Sequence, residues 1–216
     1  MLIKAYEFLE AFPGEIQLEL FKLFNATSVK ICEGQQMDID FETRNDVSIE
    51  EYLEMITKKT AVLLGAALQF GGIIAGASKE DASHLYGFAK NMGIAFQVQD
   101  DILDVFASSL DSGKTEGGDI LQKKKTYLYL KSLELSSEAD AKRLAYLYSE
   151  QEEVQGDELV KEGRALMENC HVKVYAQELK EAYQQLSFSH LDSVNVDESK
   201  KEVLRTYATA LLNSTS

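Results

Sequence analysis

Proline is nearly absent, with Pro13 the sole one in 216 residues. Proline breaks helix interiors, so its scarcity leaves long stretches free to be helical, and the glycines cluster instead of recurring at hairpin spacing. Cysteine is also scarce. Cys32 and Cys170 are too few and too scattered for a disulfide framework or a zinc cluster. There is no membrane-length apolar run and no signal-peptide pattern, so no transmembrane segment is expected and a reducing cytoplasm is the expected location. Positive charge is in deficit: 22 Lys and Arg stand against 36 Asp and Glu, a formal net charge of −14. Such a chain is repelled by nucleic acid and by anionic membranes, and any anionic ligand must find a local basic site.

What is present is a hydrophobic content of 45%, enough to bury a sizeable core in one helical domain spanning residues 1–216. Residues 1–12 read as a short helix stopped at Pro13-Gly14. It starts in mid-pattern without a capping residue, which implies that the chain is cut from something longer. A second helix is expected from Glu15 to about Phe41, with Ile16, Leu20, Phe24, Val29 and Ile31 on one stripe. Ser48-Ile49-Glu50-Glu51 has capping-box spacing and opens a third helix running to about Ile74, whose stretch from Ala61 to Ala75 is small and apolar on nearly every face and so expected to be central. Ser78 starts a fourth helix that ends in the apolar run Gly93 to Phe106, and a glycine-bearing loop follows from Ala107 to Asp119. Further helices are expected over roughly 124–134, 137–149, 154–169, 171–188 and 197–212. No strand alternation and no repeat stands out, so the fold class is all-α.

Asp100, Asp101 and Asp104 have D-D-x-x-D spacing, which sets the first and last one turn apart on one helix face, with β-carbons about 6 Å apart. By itself this is equally the pattern of a solvated acidic turn near a helix end. The flanks Phe96, Ile102, Leu103 and Phe106 bear on the choice: if they bury the helix, repulsion at about 6 Å and an effective dielectric near 20 amounts to roughly 3 kcal/mol. A positive partner must offset it. Magnesium, which keeps waters and takes one or two carboxylates plus substrate phosphates, suits such a pair.

Lysines set among apolar or glycine-rich residues stand out in so acidic a chain. Lys58-Lys59-Thr60 lies where the third helix turns apolar, Gly113-Lys114 follows the aspartates, and Lys123-Lys124-Lys125-Thr126 follows Gly117-Gly118-Asp119. Converging, they would seat a diphosphate, since ammonium groups act as point charges for phosphate and glycines let backbone amides approach. Taken singly, each is an ordinary solvated lysine.

The order of these elements carries a resemblance. Gly34-Gln35 to Asp38, Lys59-Thr60, Phe96 to Val105, Gly113 to Ile120, and Lys124 to Thr126 resemble, in that order, the motifs of the polyprenyl synthetase family, the trans-isoprenyl diphosphate synthases. The resemblance is strong over residues 1 to about 130. It implies an isoprenoid-synthase-type bundle of helices around a central cavity, incomplete at the amino terminus, with two aspartate motifs facing each other across the mouth. It further implies magnesium ions bridging those motifs to an allylic diphosphate, isopentenyl diphosphate as second substrate, and a homodimer. By this resemblance Asp100, Asp101 and Asp104 form the second aspartate motif and hold magnesium directly or through water. Lys59 and Lys114 contact the allylic diphosphate with Lys124 nearby, Thr60 and Gln97 lie beside the developing carbocation, and Phe96 lines the cavity near the isoprenoid. The three histidines, His84, His171 and His190, read as structural or surface residues.

The chain departs from the family in several places. The first aspartate motif with its arginine pair is not found; Asp38-Ile39-Asp40 comes closest but belongs to the G-Q-x-x-D element. Lys123 stands where the family usually has glycine, and the closing Leu211-Leu212-Asn213 lacks the usual basic residue. The expectation is a carboxy-terminal portion of a prenyltransferase, inactive alone. A non-catalytic partner subunit of a heteromeric synthase is the main alternative. A terpene cyclase would carry a different second metal motif, and a purely structural helical protein would have no need of these side chains.

Overall fold

The computed structural model describes residues 2–107, 117–149 and 153–213, and every regular element among them is helical. Helix α1 spans Leu2–Leu9 and α2 spans Gly14–Thr43; α3 spans Ile49–Ile56 and passes through a π turn, Thr57–Ala61, into α4, Val62–Ile74. Then come α5, Lys79–Phe106; α6, Gly118–Leu121; α7, Tyr127–Leu135; α8, Glu138–Leu147; α9, Gly156–Asn169; α10, Val172–Ser193; and α11, Glu198–Asn213. None of these helices is long and apolar enough to cross a membrane.

Local chemistry accounts for the boundaries. Pro13 holds extended backbone (φ −60°, ψ 151°) at the entry to α2, where its missing N–H costs nothing. The Ser48 hydroxyl accepts from the Glu51 amide while the Glu51 carboxylate accepts from the Ser48 amide, the reciprocal cap expected from sequence. Ser78 and Ser137 cap α5 and α8 by accepting from the Asp81 and Asp140 amides.

Helix α5 is the axis of the structure, with buried residues spread from Ala82 to Val105, and it packs against α4 on one side and α10 on the other. Close packing rests on small residues: a β-carbon on Gly93 would come 3.0 Å from Ala61 Cα. A large core gathers Tyr52, Val98, Val105, Ile120, Leu128, Leu144, Leu147 and Met167, and a smaller one holds Phe88, Met92, Leu191 and Leu212.

Two expectations need correction. On α2 the buried line is Leu20, Thr27, Gly34 and Phe41, each seven residues from the last, while Val29 is 57% exposed. Seven residues are nearly two turns, so that line stays on one face, whereas Val29 is displaced by about 200° from Thr27. On α4 the face of Val62, Gly65, Ala66, Gly72 and Ile73 is buried; Leu63 and Ile74 on the other side are 55% and 46% exposed, and Leu64, at the margin against Gly93 of α5, is 40% exposed. Helix α4 is therefore apolar all round but covered on one side.

Candidate active site

The site is built where three elements meet: the carboxy-terminal half of α5, the π turn with the adjoining end of α2, and the segment from Gly117 to Thr126. Gly34 makes the first contact possible. A β-carbon there would lie 2.3 Å from the Lys59 amide nitrogen and 2.8 Å from Lys58 Cβ, so only glycine lets α2 touch the backbone of the π turn. One turn farther along α2, Asp38 accepts from Lys59 Nζ at 2.5 Å. The Val62 amide reaches back to the Thr57 carbonyl, one residue beyond ordinary helical pairing, a local widening often found at functional sites.

Asp101 is 4% exposed and accepts from the Tyr52 hydroxyl and, at 3.3 Å, from Gln97 Nε2. Burial, followed by the charge of Asp119, pushes its pKa up to about 8. The Tyr52 phenol is pushed well above its ordinary value by burial and then by the Asp101 charge, so it stays a hydrogen-bond donor. Asp104 serves the turn that follows α5. Its carboxylate accepts from the Asp119 amide at 2.8 Å, its carbonyl accepts from the Gly117 amide at 2.9 Å, and burial raises its pKa. Gly117 sits at φ +66°, and a β-carbon on Gly118 would stand 3.0 Å from Asp104 Oδ1. The G-G-D run is thus two glycines that bring the chain to Asp104, followed by a third acid.

Asp119 is 9% exposed and accepts from Lys124 Nζ at 2.7 Å. Burial works against the Lys124 charge, but the hydrogen bond and the charges of Asp119, Asp104 and Asp38 outweigh it and the pKa is raised. Lys125 turns the other way, donating to the carbonyls of Phe41 and Glu42 at 2.7 and 3.1 Å and tying this segment to the end of α2. Lys58 also points away, to Glu33 and Glu54.

The result is a cleft of about 90 Å³ whose walls include Asp38, Lys59, Thr60, Gln97, Asp100 and Lys124. It adjoins a larger cavity of about 320 Å³ that shares Asp38, Tyr52 and Lys124 and reaches Phe41 and Lys123. Lys59, Thr60, Gln97, Asp100, Asp101 and Lys124 from the sequence reading therefore come together. Phe96 packs instead against the cluster of Phe88, Met92 and Leu191 and is not among the cleft's described walls. Lys114 lies outside the described residues. Tyr52 was missed because nothing in local spacing links it to an aspartate 49 residues on. Asp119 was seen as part of a motif but not as a site residue.

Oxygen donors near lysines fit a hard divalent cation bridging to phosphate. Among the described residues no three of His, Cys, Asp and Glu converge as a metal cage, and magnesium does not need one, since it takes one or two carboxylates and completes its shell with water and substrate oxygens. The Asp101 carboxylate is turned to Tyr52 and that of Asp104 accepts from the Asp119 amide, while Asp100 and Asp104 stand one turn apart on α5.

The polyprenyl synthetase family model matches residues 1–166. A short chain isoprenyl diphosphate synthase of Methanothermobacter thermautotrophicus is 39% identical over 192 residues, which is 88% of this chain and 54% of the relative. A solved geranylgeranyl pyrophosphate synthase superposes with a TM-score of 0.90 at 37% identity, covering 100% of this chain and 66% of that one. A geranylgeranyl pyrophosphate synthase from Corynebacterium glutamicum, solved with calcium and isoprenyl diphosphate, has a TM-score of 0.79 at 25% identity, over 92% of this chain and 60% of that one. The chain thus spans about half the length of the curated relatives it matches. It belongs to the polyprenyl synthetase family.

Proposed function

With that membership as premise, we propose that this chain, a single helical domain, supplies one half of a prenyltransferase site, in which an allylic diphosphate is elongated head to tail by isopentenyl diphosphate. The observation that carries the reading is the placing of two lysines, each already paired with a carboxylate, in one cleft with Asp100. In this acidic protein Asp38 and Asp119 neutralise the two ammonium groups. On binding, Lys59 and Lys124 exchange those carboxylates for diphosphate oxygens. Their positive charge stabilises the departing diphosphate as the allylic carbon–oxygen bond breaks. Thr60 and Gln97 present dipoles beside the carbon that becomes cationic; the double bond of the second substrate attacks it and a proton is lost. Lys114 is proposed as a further diphosphate contact and Phe96 as a more distant contact to the isoprenoid.

Asp100 and Asp104, supported by Asp101, are the residues that would hold magnesium. When bound, the metal neutralises diphosphate charge and so assists departure of the leaving group. The exposed α4 face supports a homodimer, and the net charge of −14 argues against nucleic acid. The protein is proposed to be cytoplasmic.

The family's first aspartate motif is needed opposite this one, so the 216-residue chain alone is expected to be inactive. The test assays it, with magnesium and both diphosphates, beside the same chain fused behind the amino-terminal part of a family relative. Elongation by the fusion alone is expected, and Asp100→Ala in the fusion should lower kcat by about a hundredfold or more. Elongation by the chain alone would refute its inactivity, and an inert, well-folded fusion would refute the enzyme reading. The partial coverage of its relatives favours one second reading, a non-catalytic partner subunit. That reading predicts instead that adding the chain changes the product of a complete synthase.

A further inference from the structure

His84 near the start of α5 and His190 near the end of α10, 106 residues apart in sequence, meet with their Nδ1 atoms 3.2 Å apart and their rings inclined at 51°. From sequence alone both read as structural or surface residues. The meeting is made by Gly87, one turn after His84: a β-carbon there would lie 2.7 Å from the His190 ring, so the imidazole rests on bare α5 backbone where any other residue would push it away. Both rings are only half-buried, which leaves a path for solutes from one side.

Two imidazole nitrogens bound to one tetrahedral zinc at about 2.0–2.1 Å stand about 3.3 Å apart, close to the spacing found. We propose that His84 and His190 form a bidentate seat for a late first-row transition metal ion such as Zn²⁺, pinning α5 to α10. Imidazole-nitrogen ligation separates it in kind from the oxygen-lined aspartate cluster. It is also separate in space: Asp100 is sixteen residues beyond His84 on the same helix, about 24 Å at 1.5 Å per residue.

With two protein ligands, the remaining positions on such an ion would be taken by water. Asp81, one turn before His84, is committed elsewhere, accepting from the Asn195 amide and the Ser78 hydroxyl, each at 2.7 Å. Burial, with His84 and Lys90 next, lowers the His190 pKa, which keeps its lone pair available at neutral pH. Asp81 and Lys90 on α5 are charges that act on the pair, Asp81 through His84 and Lys90 through His190, and Lys201 on α11 acts in turn on Asp81. Since α5 and α10 form the most extensive packed pair in the structure, an ion bound across them favours the folded state by mass action.

The test is a zinc titration of the metal-stripped chain, held in saturating magnesium so that the aspartates are occupied, read through the ring resonances of its three histidines. The expected result is one-to-one binding that shifts the His84 and His190 resonances and spares His171. His84→Gln and His190→Gln, which keep a hydrogen-bonding side chain, should each weaken zinc binding by about tenfold or more, since loss of an outer-shell partner alone often costs that much. Zinc that shifts no histidine, or His171 instead, overturns the proposal. So does unchanged zinc affinity in variants whose circular dichroism matches the parent.

Discussion

Asp101 shows at the scale of one residue how a site stores unfavourable charge. Its carboxyl is buried, close to Asp119, and held by Tyr52 and Gln97, with a pKa pushed up to about 8. An ordinary aspartate titrates near 4, so between about pH 4 and 8 the folded chain holds a proton that the unfolded chain has released. Stability then falls as pH rises through that window, because the folded state binds more protons there. Asp101→Asn keeps an acceptor for the Tyr52 hydroxyl and removes the titration. Denaturant melts without divalent cations should show the parent losing stability from about pH 5 to 8 and the variant losing distinctly less; parallel curves would remove Asp101 as the cause. Lys123 is the other residue of note. It has φ +53°, which explains why glycine is usual there, and its ammonium donates to the Ser149 carbonyl at the end of α8. Lys123→Met loses the ammonium and keeps the strain, whereas Lys123→Gly loses both. The glycine variant should therefore be the more stable of the two by about 1 kcal/mol, measured from their midpoints in denaturant.

At the scale of the element, the sequence was informative wherever the deciding contact was local. Pro13, the Ser48–Glu51 box and Ser78 each act within one turn, so helix starts were readable from them. The D-D-x-x-D turn was readable for the same reason, since Asp100 and Asp104 share a face by geometry. The π turn was not. It exists where the backbone of α2 presses on Lys58 and Lys59 through Gly34, a contact between segments about 25 residues apart whose only local trace is the glycine of G-Q-x-x-D. Gly34→Ala tests this directly. A methyl group 2.3 Å from the Lys59 amide nitrogen meets backbone that cannot rotate away, so the expected cost is roughly 1–3 kcal/mol. In the active fusion it should also raise KM for the allylic diphosphate, by moving Lys59. Gln35→Ala on the exposed side of the same helix should do neither.

At the scale of the whole molecule, what composition concealed is which apolar surface is covered. The all-α class was legible because helix spacing is a property of each segment, but the role of α4 depends on neighbours that hydropathy does not name. Leu63 and Ile74 project from α4 on the side away from α5, while Val62, Gly65, Ala66, Gly72 and Ile73 of the same helix are buried and Leu64, between the two faces, reaches toward Gly93 of α5. Exposed leucines scattered singly need no explanation; apolar residues along one helix, beside Gly71 and Ala67 that let another backbone approach, are what the proposed two-fold dimer would use as its seam. Such a seam would double the 24.2 kDa mass in light scattering at micromolar concentration. Leu63→Glu combined with Ile74→Glu should return the chain to a monomer with unchanged helical circular dichroism, because both side chains already face solvent within one copy and their loss opens no cavity. A parent that scatters as a strict monomer, or a double variant that stays dimeric, would place the dimer contact elsewhere and leave the α4 face for another segment to cover.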